Sequence, residues 1–297
     1  MRHIETLISL RRAIDYIEVE LASTLEIDDI AKVALSSKYH FQRMFHALTG
    51  FTVSVYIRNR RLTLAAEDLV ATDRKIIDVA FKYGYETPEA FAKAFQRMHG
   101  VTPSTAKKMN VKLKAFPRIS FQIQIKGETE MNYRMVEERT SSIIIGKDMV
   151  IHIEAYTEIP QFVEGIWRNG THDQINAAVG KPSGTLLYGY HFDYSEDGTK
   201  RYLMGAELPE GNEVPSGLTT LTIPPQTYAV FESKEQITED VEFGLEVINV
   251  WKRIYSEWFP SSNFEQVEGP CIEKFYWVDE QQIDSVCEVW IPVKRKA

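Results

Sequence analysis

The apolar residues in the first part of the chain, up to about residue 110, recur at steps of three and four, which predicts helices. The first helix is marked by five of them: Leu7, Leu10, Ile14, Ile17 and Leu21. Polar caps, glycine stops and a proline at a first helical position delimit the later helices. These are predicted over 27–34, 37–48, 54–70, 76–82 (capped by Thr72 or Asp73) and 88–98. A last turn begins at 102, so the region is predicted to be all-α.

From about residue 118 the pattern changes to an alternation of apolar and polar residues, which predicts β-strands. Strands are predicted within 119–127, 131–139, 141–151, 185–208, 218–233, 271–278 and 285–293, with helices over 159–179 and 238–258. The segment 185–208 is predicted to be a hairpin that turns at Asp197-Gly198. The order of strand, helix and hairpin occurs twice. It predicts an α+β domain of two related units, with a groove between them.

The change of pattern predicts two domains, 1–110 and 118–297, with 111–117 as the linker. Charge and aromatic content change with it. Residues 1–110 carry 16 Lys and Arg against 13 Asp and Glu, a balance of +3, whereas residues 111–297 carry 18 against 29, a balance of −11. All five Trp residues lie in the second part. The acidic total of −8 therefore does not exclude a nucleic-acid partner for the first domain, because local clustering of Lys and Arg decides such binding.

One segment of the helical part occurs twice, fifty residues apart: FQRMFHALTGFTVS at 41–54 and FAKAFQRMHGVTPS at 91–104. The identical pairs include Phe41 with Phe91 and Phe45 with Phe95, at predicted core positions, and Gly50 with Gly100, at predicted turns. The differing positions are mostly exposed ones. Each copy is predicted to be a short helix, a tight turn and a second helix, which is the helix-turn-helix arrangement.

The outward residues of these second helices are suited to DNA. In the first copy Gln42 can pair with adenine, Arg43 with guanine, and Tyr39 can contact a thymine methyl group or a phosphate. The helix over 54–70, at about 1.5 Å per residue, spans roughly 25 Å and with its turns could hold the two helices about 34 Å apart, one duplex turn. The alternative is that these polar residues form an ordinary solvated helix face without a binding role. The duplication of the unit argues against this alternative. The predicted DNA-binding residues are Ser37, Tyr39, Gln42, Arg43, Arg58, Arg61, Thr87, Glu89, Lys93 and Arg97.

The second domain holds most of the aromatic residues and one carboxylate that stands out, Glu273 in CIEKFYW. Alternation places it on the strand face opposite Ile272. A concave site lined by aromatic rings and holding a carboxylate suits a flat apolar cation. The predicted ligand-binding residues are Glu273, Trp167, Tyr188, Tyr228, Trp251, Tyr255 and Trp277. The alternatives are an ordinary outward glutamate and ordinary core aromatics.

Composition narrows the function classes further. The chain has 297 residues, 44% of them hydrophobic, yet no apolar run long enough to span a membrane, and its first twenty residues are charged throughout. Cys271 and Cys287 are the only cysteines, so we predict two ordinary buried thiols and a cytoplasmic location. A Gly-rich phosphate loop, a C-x-x-C pair and metal-ligand histidine spacing are missing from the sequence. We predict no cofactor and no metal.

The segment from about residue 14 to 108 resembles the AraC/XylS-type DNA-binding domain. The resemblance rests on SKYHFQRMFHALTG, YIRNRRLTLAAEDL and IIDVAFKYGYETPEAFAKAFQRMHGVTPS. It implies an asymmetric duplex target read by two different helices, with Tyr39, Gln42 and Arg43 at base-contacting positions. The family often has Arg where this chain has Lys93, which makes a point contact instead of a planar fork. We expect the first helix to read bases and the second to hold phosphates.

The segment from about residue 131 to 293 resembles the gyrase-inhibitor-like effector-binding domain, which the Rob-like AraC regulators place after the helix-turn-helix pair. MNYRMVEER, PPQTYAVFE, GPCIEKFYW and EVWIPVK carry the resemblance. It implies two strand–helix–strand–strand units. The family's Phe-Glu-x-Tyr run stands here as Ile272-Glu273-Lys274-Phe275, so the glutamate is kept and the tyrosine is replaced.

These observations predict a transcriptional regulator that binds double-stranded DNA and a small lipophilic or cationic effector. RNA polymerase is a predicted partner, and a monomer or weak dimer is the predicted state. We predict that the chain is not an enzyme. Two alternatives stay open at this point. The second domain could hydrolyse a reactive small molecule with Glu273, or it could serve as a protein-interaction platform without a ligand.

Overall fold

Residues 2–108, 111–120, 131–152, 158–195, 198–233, 245–277 and 285–296 are described by a computed structural model of the chain. They fall into two compact units, Met1–Lys126 and Gly127–Ala297.

The first unit is helical, as predicted. Its helices are α1 (Arg2–Val19), α2 (Ile27–Val33), α3 (Lys38–Thr49), α4 (Val53–Ala71), α5 (Ile76–Lys82), α6 (Pro88–His99) and α7 (Pro103–Lys108). The predicted cap of α5 at Thr72 or Asp73 is wrong, because the helix begins directly after Lys75, whose side chain makes no capping bond. The other predicted helix boundaries in this unit lie within a few residues of the observed ones.

The two copies of the repeat share both their core and their turn chemistry. The rings of Phe41 and Phe45 lie 5.8 Å apart, and those of Phe91 and Phe95 lie 5.5 Å apart, all four fully buried. Gly50 and Gly100 end α3 and α6 in the left-handed conformation, with φ of 76° and 79°. The copies differ before the second helix, where residues 34–37 form a turn one residue shorter than the turn over 83–87.

Two left-handed glycines allow backbone strain to be separated from steric crowding. A Cβ at Gly100 would meet no atom within 4 Å, whereas one at Gly84 would lie 2.8 Å from Arg61 Nη1. Gly100→Ala is expected to lower the free energy of unfolding of the first unit by about 1–2 kcal/mol, the cost of a left-handed non-glycine residue. Gly84→Ala is expected to cost more, since Arg61 must also move. Urea unfolding followed by far-UV circular dichroism measures both, and equal losses would contradict the role of Arg61.

The segment predicted as a linker packs on the helical unit. The Phe116 ring makes edge contacts with Phe51 and Tyr56 at centroid distances of 5.1 and 6.0 Å. Its backbone N–H donates to Thr63 Oγ1 at 2.9 Å, and its carbonyl accepts from Arg60 Nη1 at 2.6 Å. We call residues 111–120 the strap, because these contacts fasten them along α4.

The second unit is a mixed α+β fold, as predicted. Its strands are β1 (Tyr133–Glu138), β2 (Ser142–His152), β3 (Tyr188–Phe192), β4 (Thr199–Glu207), β5 (Thr219–Ile223), β6 (Gln226–Glu232), β7 (Phe264–Gln266), β8 (Cys271–Trp277) and β9 (Ser285–Arg295). Its helices are α8 (Glu158–Arg168), α9 (Thr171–Ala178), α10 (Leu245–Arg253) and α11 (Phe259–Ser261), the last two joined by a π-helical turn over Ile254–Trp258.

The strand order shows the predicted internal symmetry. Antiparallel neighbours follow one another as β1-β6-β9-β8-β3-β4-β2-β5, and β7 pairs with β9. A pseudo-twofold axis between β8 and β3 relates the units 133–207 and 219–295. The first strand of each unit has exchanged sides, so that β1 pairs with β6 and β5 pairs with β2.

The two faces of this sheet have different cores. On one face Tyr202, Met204 and Ile145 pack against Ile166 of α8 and Ile175 of α9. On the other face the buried cluster contains strand residues alone, within the described part of the chain. We call these the helix-covered face and the open face.

The second unit departs from its sequence-based prediction at one helix and one short strand. The helix over 159–179 is broken at Gly170, which adopts φ of 77° and separates α8 from α9. Most of the strand over 119–127, the start of the helix at 238 and Asp197 of the predicted turn lie outside the described residues. The short strand β7 was not predicted. Within the described residues, no helix is long and apolar enough to cross a membrane.

Candidate functional site

The second helix of the first copy, α3, begins at a capped end. Ser37 Oγ accepts from the backbone N–H of His40 at 3.3 Å. Tyr39, Gln42 and Arg43 are half-buried on the side of α3 away from Phe41 and Phe45. The Arg43 guanidinium lies 5.2 Å from the centre of the Tyr39 ring. This stacking holds the arginine along the helix surface, next to Gln42.

The corresponding helix of the second copy, α6, presents a more open and more charged surface. Thr87 Oγ1 caps it by accepting from the backbone N–H of Ala90 at 3.1 Å. Glu89, Lys93 and Arg97 are all exposed. Base-reading residue types lie on α3 and charged side chains lie on α6.

The three arginines of α4 have different surroundings. Arg58 is exposed, and its charge opposes the burial that raises the pKa of Tyr85. Arg60 forms a two-point ion pair with Glu18 at 2.8 and 2.9 Å, and the two side chains are 11% and 13% exposed. Arg61 donates to the carbonyls of Leu21 and Ser23 at 2.8 and 2.7 Å. Of the two α4 arginines predicted to bind DNA, Arg61 is held inside the unit by these bonds. Arg58 stays a predicted phosphate contact.

The predicted ligand residues of the second unit lie on two faces. Glu273 and Trp251 meet on the helix-covered face, where Trp251 Nε1 donates to Glu273 Oε1 at 2.8 Å. Tyr188 and Tyr228 belong to the open face, where they pack with Trp290 and Ile272. The seven predicted residues therefore do not line a single site, because the strand register places Tyr188 and Tyr228 on the face opposite Glu273.

The remaining predicted ligand residues are spread further. Tyr255 stacks parallel to Trp251 at 6.3 Å and donates its hydroxyl to Gln266. Trp167 is 45% exposed and stacks on His172 at 3.5 Å. Trp277 ends β8, and its side chain lies outside the described residues.

The carboxylate of Glu273 is buried on β8, one of the two strands at the centre of the sheet. Gly189 lies opposite it on β3, and His191 Nε2 lies 3.0 Å from its Oε1. Burial by itself would raise the pKa of Glu273, but the charge and hydrogen bond of His191, the Trp251 donor and the charge of Lys200 outweigh it and lower this pKa. Glu273 is therefore a buried negative charge near the pseudo-twofold axis.

A model of the family described as integron-associated effector binding proteins matches residues 136–293, 158 of the 297 residues. This chain belongs to the integron-associated effector-binding protein family. A helix-turn-helix domain model matches residues 30–109. The two matches correspond to the two compact units.

Relatives of the first unit include proteins named as regulators. SoxS of Escherichia coli strain K12 is 42% identical over 91 residues, which cover 31% of this chain and 85% of SoxS. YbfP of Bacillus subtilis strain 168, named an uncharacterized HTH-type transcriptional regulator, is 40% identical over 95 residues, which are 32% of either chain. The chain thus spans about a third of the length of YbfP. Its first unit is an AraC-type helix-turn-helix domain.

Among solved structures, SAV2435 bound to tetraphenylphosphonium is similar to the effector-binding unit. It covers 55% of this chain and 94% of its own length, with a TM-score of 0.44 and 15% identity.

The effector-binding family segment also contains polar residues that the sequence prediction missed. His191, Lys200 and Tyr202 are buried beside Glu273 on the helix-covered face. On the open face, Glu288 is buried between donors, with Arg134 Nη2 at 2.6 Å, Trp290 Nε1 at 2.9 Å and the Tyr276 hydroxyl at 3.2 Å. Alternation in EVWIPV could have placed Glu288 on one face with Trp290. The sequence contains no comparable pattern that would indicate the burial of His191.

Both cysteine thiols lie in the interior of the second unit. Cys271 and Cys287 are buried and form no disulfide, and burial raises the pKa of Cys287 well above its usual range. No group of three or more His, Cys, Asp and Glu side chains there is arranged to hold a metal ion.

Proposed function

We propose that this protein is a transcriptional regulator that reads an asymmetric duplex through α3, holds it through α6, and binds a lipophilic organic cation at Glu273. The proposal of a cationic ligand rests on the charged carboxylate of Glu273, which is buried against the Trp251 indole on a central strand of the sheet. The proposal of DNA binding rests on the repeated helix-turn-helix, whose two copies share the same buried core but differ in their outward-facing side chains.

The division of work between α3 and α6 follows from their side chains. Gln42 and Arg43 can each form two hydrogen bonds with one base edge. Lys93 and Arg97 are exposed cations that suit phosphate oxygens, which fix the register and carry no sequence information. We therefore propose that sequence preference comes mainly from α3. The exposed Arg58 adds a phosphate contact from α4.

The chemistry around Glu273 favours a cation. Both contacts described for its carboxylate go to Oε1, from Trp251 and from His191. We propose that a ligand cation approaches Oε2 and stacks on Trp251, since ring faces attract cations and a carboxylate neutralises them. The balance of −11 over residues 111–297 raises the local concentration of cations. Lipophilic substituents on the cation would displace water from the rings of Trp251 and Tyr255.

Glu273→Gln is expected to weaken binding of an aromatic cation by about 2–5 kcal/mol, because it removes the buried partner of the ligand charge and keeps the side-chain shape. Tetraphenylphosphonium is a suitable probe, and triphenylphosphine oxide is a neutral one of related shape. Titration calorimetry and quenching of tryptophan fluorescence measure both. The neutral probe should bind the wild type weakly and lose nothing in the variant.

Glu257→Gln is the matched control, since Glu257 lies near Trp251 in sequence but is paired with Arg253 near the surface. It should leave cation binding within experimental error. Equal cation affinity in wild type and Glu273→Gln would remove Glu273 from the site. Failure of every aromatic cation to bind, with DNA binding intact, would favour the interaction platform. Product formation that Glu273→Gln abolishes would favour the hydrolase.

A further inference from the structure

The open face of the effector-binding unit holds an amine with unusual neighbours. Lys274 lies on β8 directly opposite Glu288 on β9. A lysine and a glutamate placed in this way normally pair across the strands. Here Arg134, Trp290 and Tyr276 occupy the Glu288 carboxylate. The Lys274 side chain turns to the aromatic rings instead.

The amine is enclosed by ring faces. Lys274 Nζ lies 3.6 Å from the centre of the Trp290 ring and 5.5 Å from that of Tyr188. It forms no ion pair with any carboxylate in the described part of the chain. The side chain is half-buried, so it remains open to solvent on one side, beside the 39% exposed Tyr276.

Burial makes the neutral amine of Lys274 easier to form than that of an exposed lysine. Burial lowers the pKa of Lys274, although the charges of Glu138, Glu288 and Glu207 oppose the shift. A neutral amine has a free lone pair and is a nucleophile, and desolvation in an apolar pocket is how proteins activate lysine. The same three glutamates would repel an anionic ligand. A neutral electrophile meets no such repulsion.

We infer that Lys274 is a binding site for neutral aromatic aldehydes, which it holds as a reversible imine while Trp290 and Tyr188 stack on the aryl ring. The Nζ lone pair attacks the carbonyl carbon, a C–N bond forms, and the C=O π pair passes to oxygen. A proton moves from nitrogen to that oxygen to give the carbinolamine. Loss of water then leaves C=N, so one water is released for each aldehyde held. Hydrolysis returns both partners, and no oxidant or reductant takes part.

The test is reductive trapping on the full chain. Benzaldehyde and sodium cyanoborohydride are added at neutral pH, and peptide mass spectrometry follows benzylation at each lysine. Lys274 is expected to be labelled about tenfold faster than the exposed Lys252 for each unit by which its pKa is lower. Omitting the hydride and removing the aldehyde should return the unlabelled protein.

Lys274→Arg is the matched variant, since it keeps a cation over Trp290 and loses the nucleophile. It should lose the fast-labelled fraction and keep the slow labelling at other lysines. Labelling of Lys274 at the rate of Lys252, or an unchanged fast fraction in the variant, would overturn the inference. Neither readout depends on DNA binding or on Glu273, so this test is independent of the proposed function.

Discussion

Joint replacement of Gln42 and Arg43 by alanine is expected to weaken binding to the preferred duplex by about 2–6 kcal/mol, since each side chain can form a two-point contact worth about 1–3 kcal/mol with one base. Both residues lie on α3, and the stacking of Arg43 on Tyr39 pre-orders the arginine. The preferred duplex is obtained by selection from a random pool. Fluorescence anisotropy at fixed salt then compares it with random sequence.

Lys93→Ala on α6 is the matched control. It should weaken binding to the preferred and the random duplex by similar amounts and reduce the salt slope by about one ion. The double variant on α3 should instead bring the preferred duplex close to the random one. A loss of sequence preference in Lys93→Ala, together with its retention in the double variant, would reverse the roles proposed for the two helices.

Arg60→Ala is expected to lower the free energy of unfolding of the first unit by about 3–5 kcal/mol, because it leaves a largely buried carboxylate without its cation. Arg60 contacts Glu18 at two points and the Phe116 carbonyl at a third. Far-UV circular dichroism in urea follows the helices. All five tryptophans lie in the second unit, so their fluorescence reports that unit separately and should not change.

The same pair predicts a pH dependence. Burial would raise the pKa of Glu18, but hydrogen bonds from Arg60 and Tyr56 and the charge of Arg60 lower it. A carboxyl with a lowered pKa stabilises the fold above its unfolded pKa and loses this contribution as the pH falls. The difference between wild type and Arg60→Ala should therefore shrink in acid. Arg58→Ala, an exposed arginine on the same helix, should stay within about 0.5 kcal/mol of wild type, and a comparable loss there would contradict the assignment.

Much of the fold could be predicted because its signals are local. Gly50 and Gly100 end their helices, and Ser37 and Thr87 begin theirs, through bonds that span only a few residues. The break at Gly170 was missed because apolar residues continue at helical spacing across it. A left-handed glycine can interrupt a helix without interrupting that pattern.

The candidate sites could be predicted only in part, since they depend on contacts distant in sequence. Alternation correctly separates Glu273 from Ile272, but it does not say which face of the sheet the helices cover. Tyr188 and Tyr228 were therefore grouped with Glu273, although they lie on the opposite face of the sheet. In the same way, Arg60 and Arg61 turn inward because α1 and the loop after it supply their partners.

The exchange of first strands in the effector-binding unit has a consequence for cutting the chain. A break between β4 and β5 would give two fragments of similar design, each with its helices and its hairpin. Each would also carry one strand, β1 or β5, whose partner lies on the other fragment. The fragments would expose unpaired edges that fit each other, which is a requirement for a split protein that reassembles by complementation.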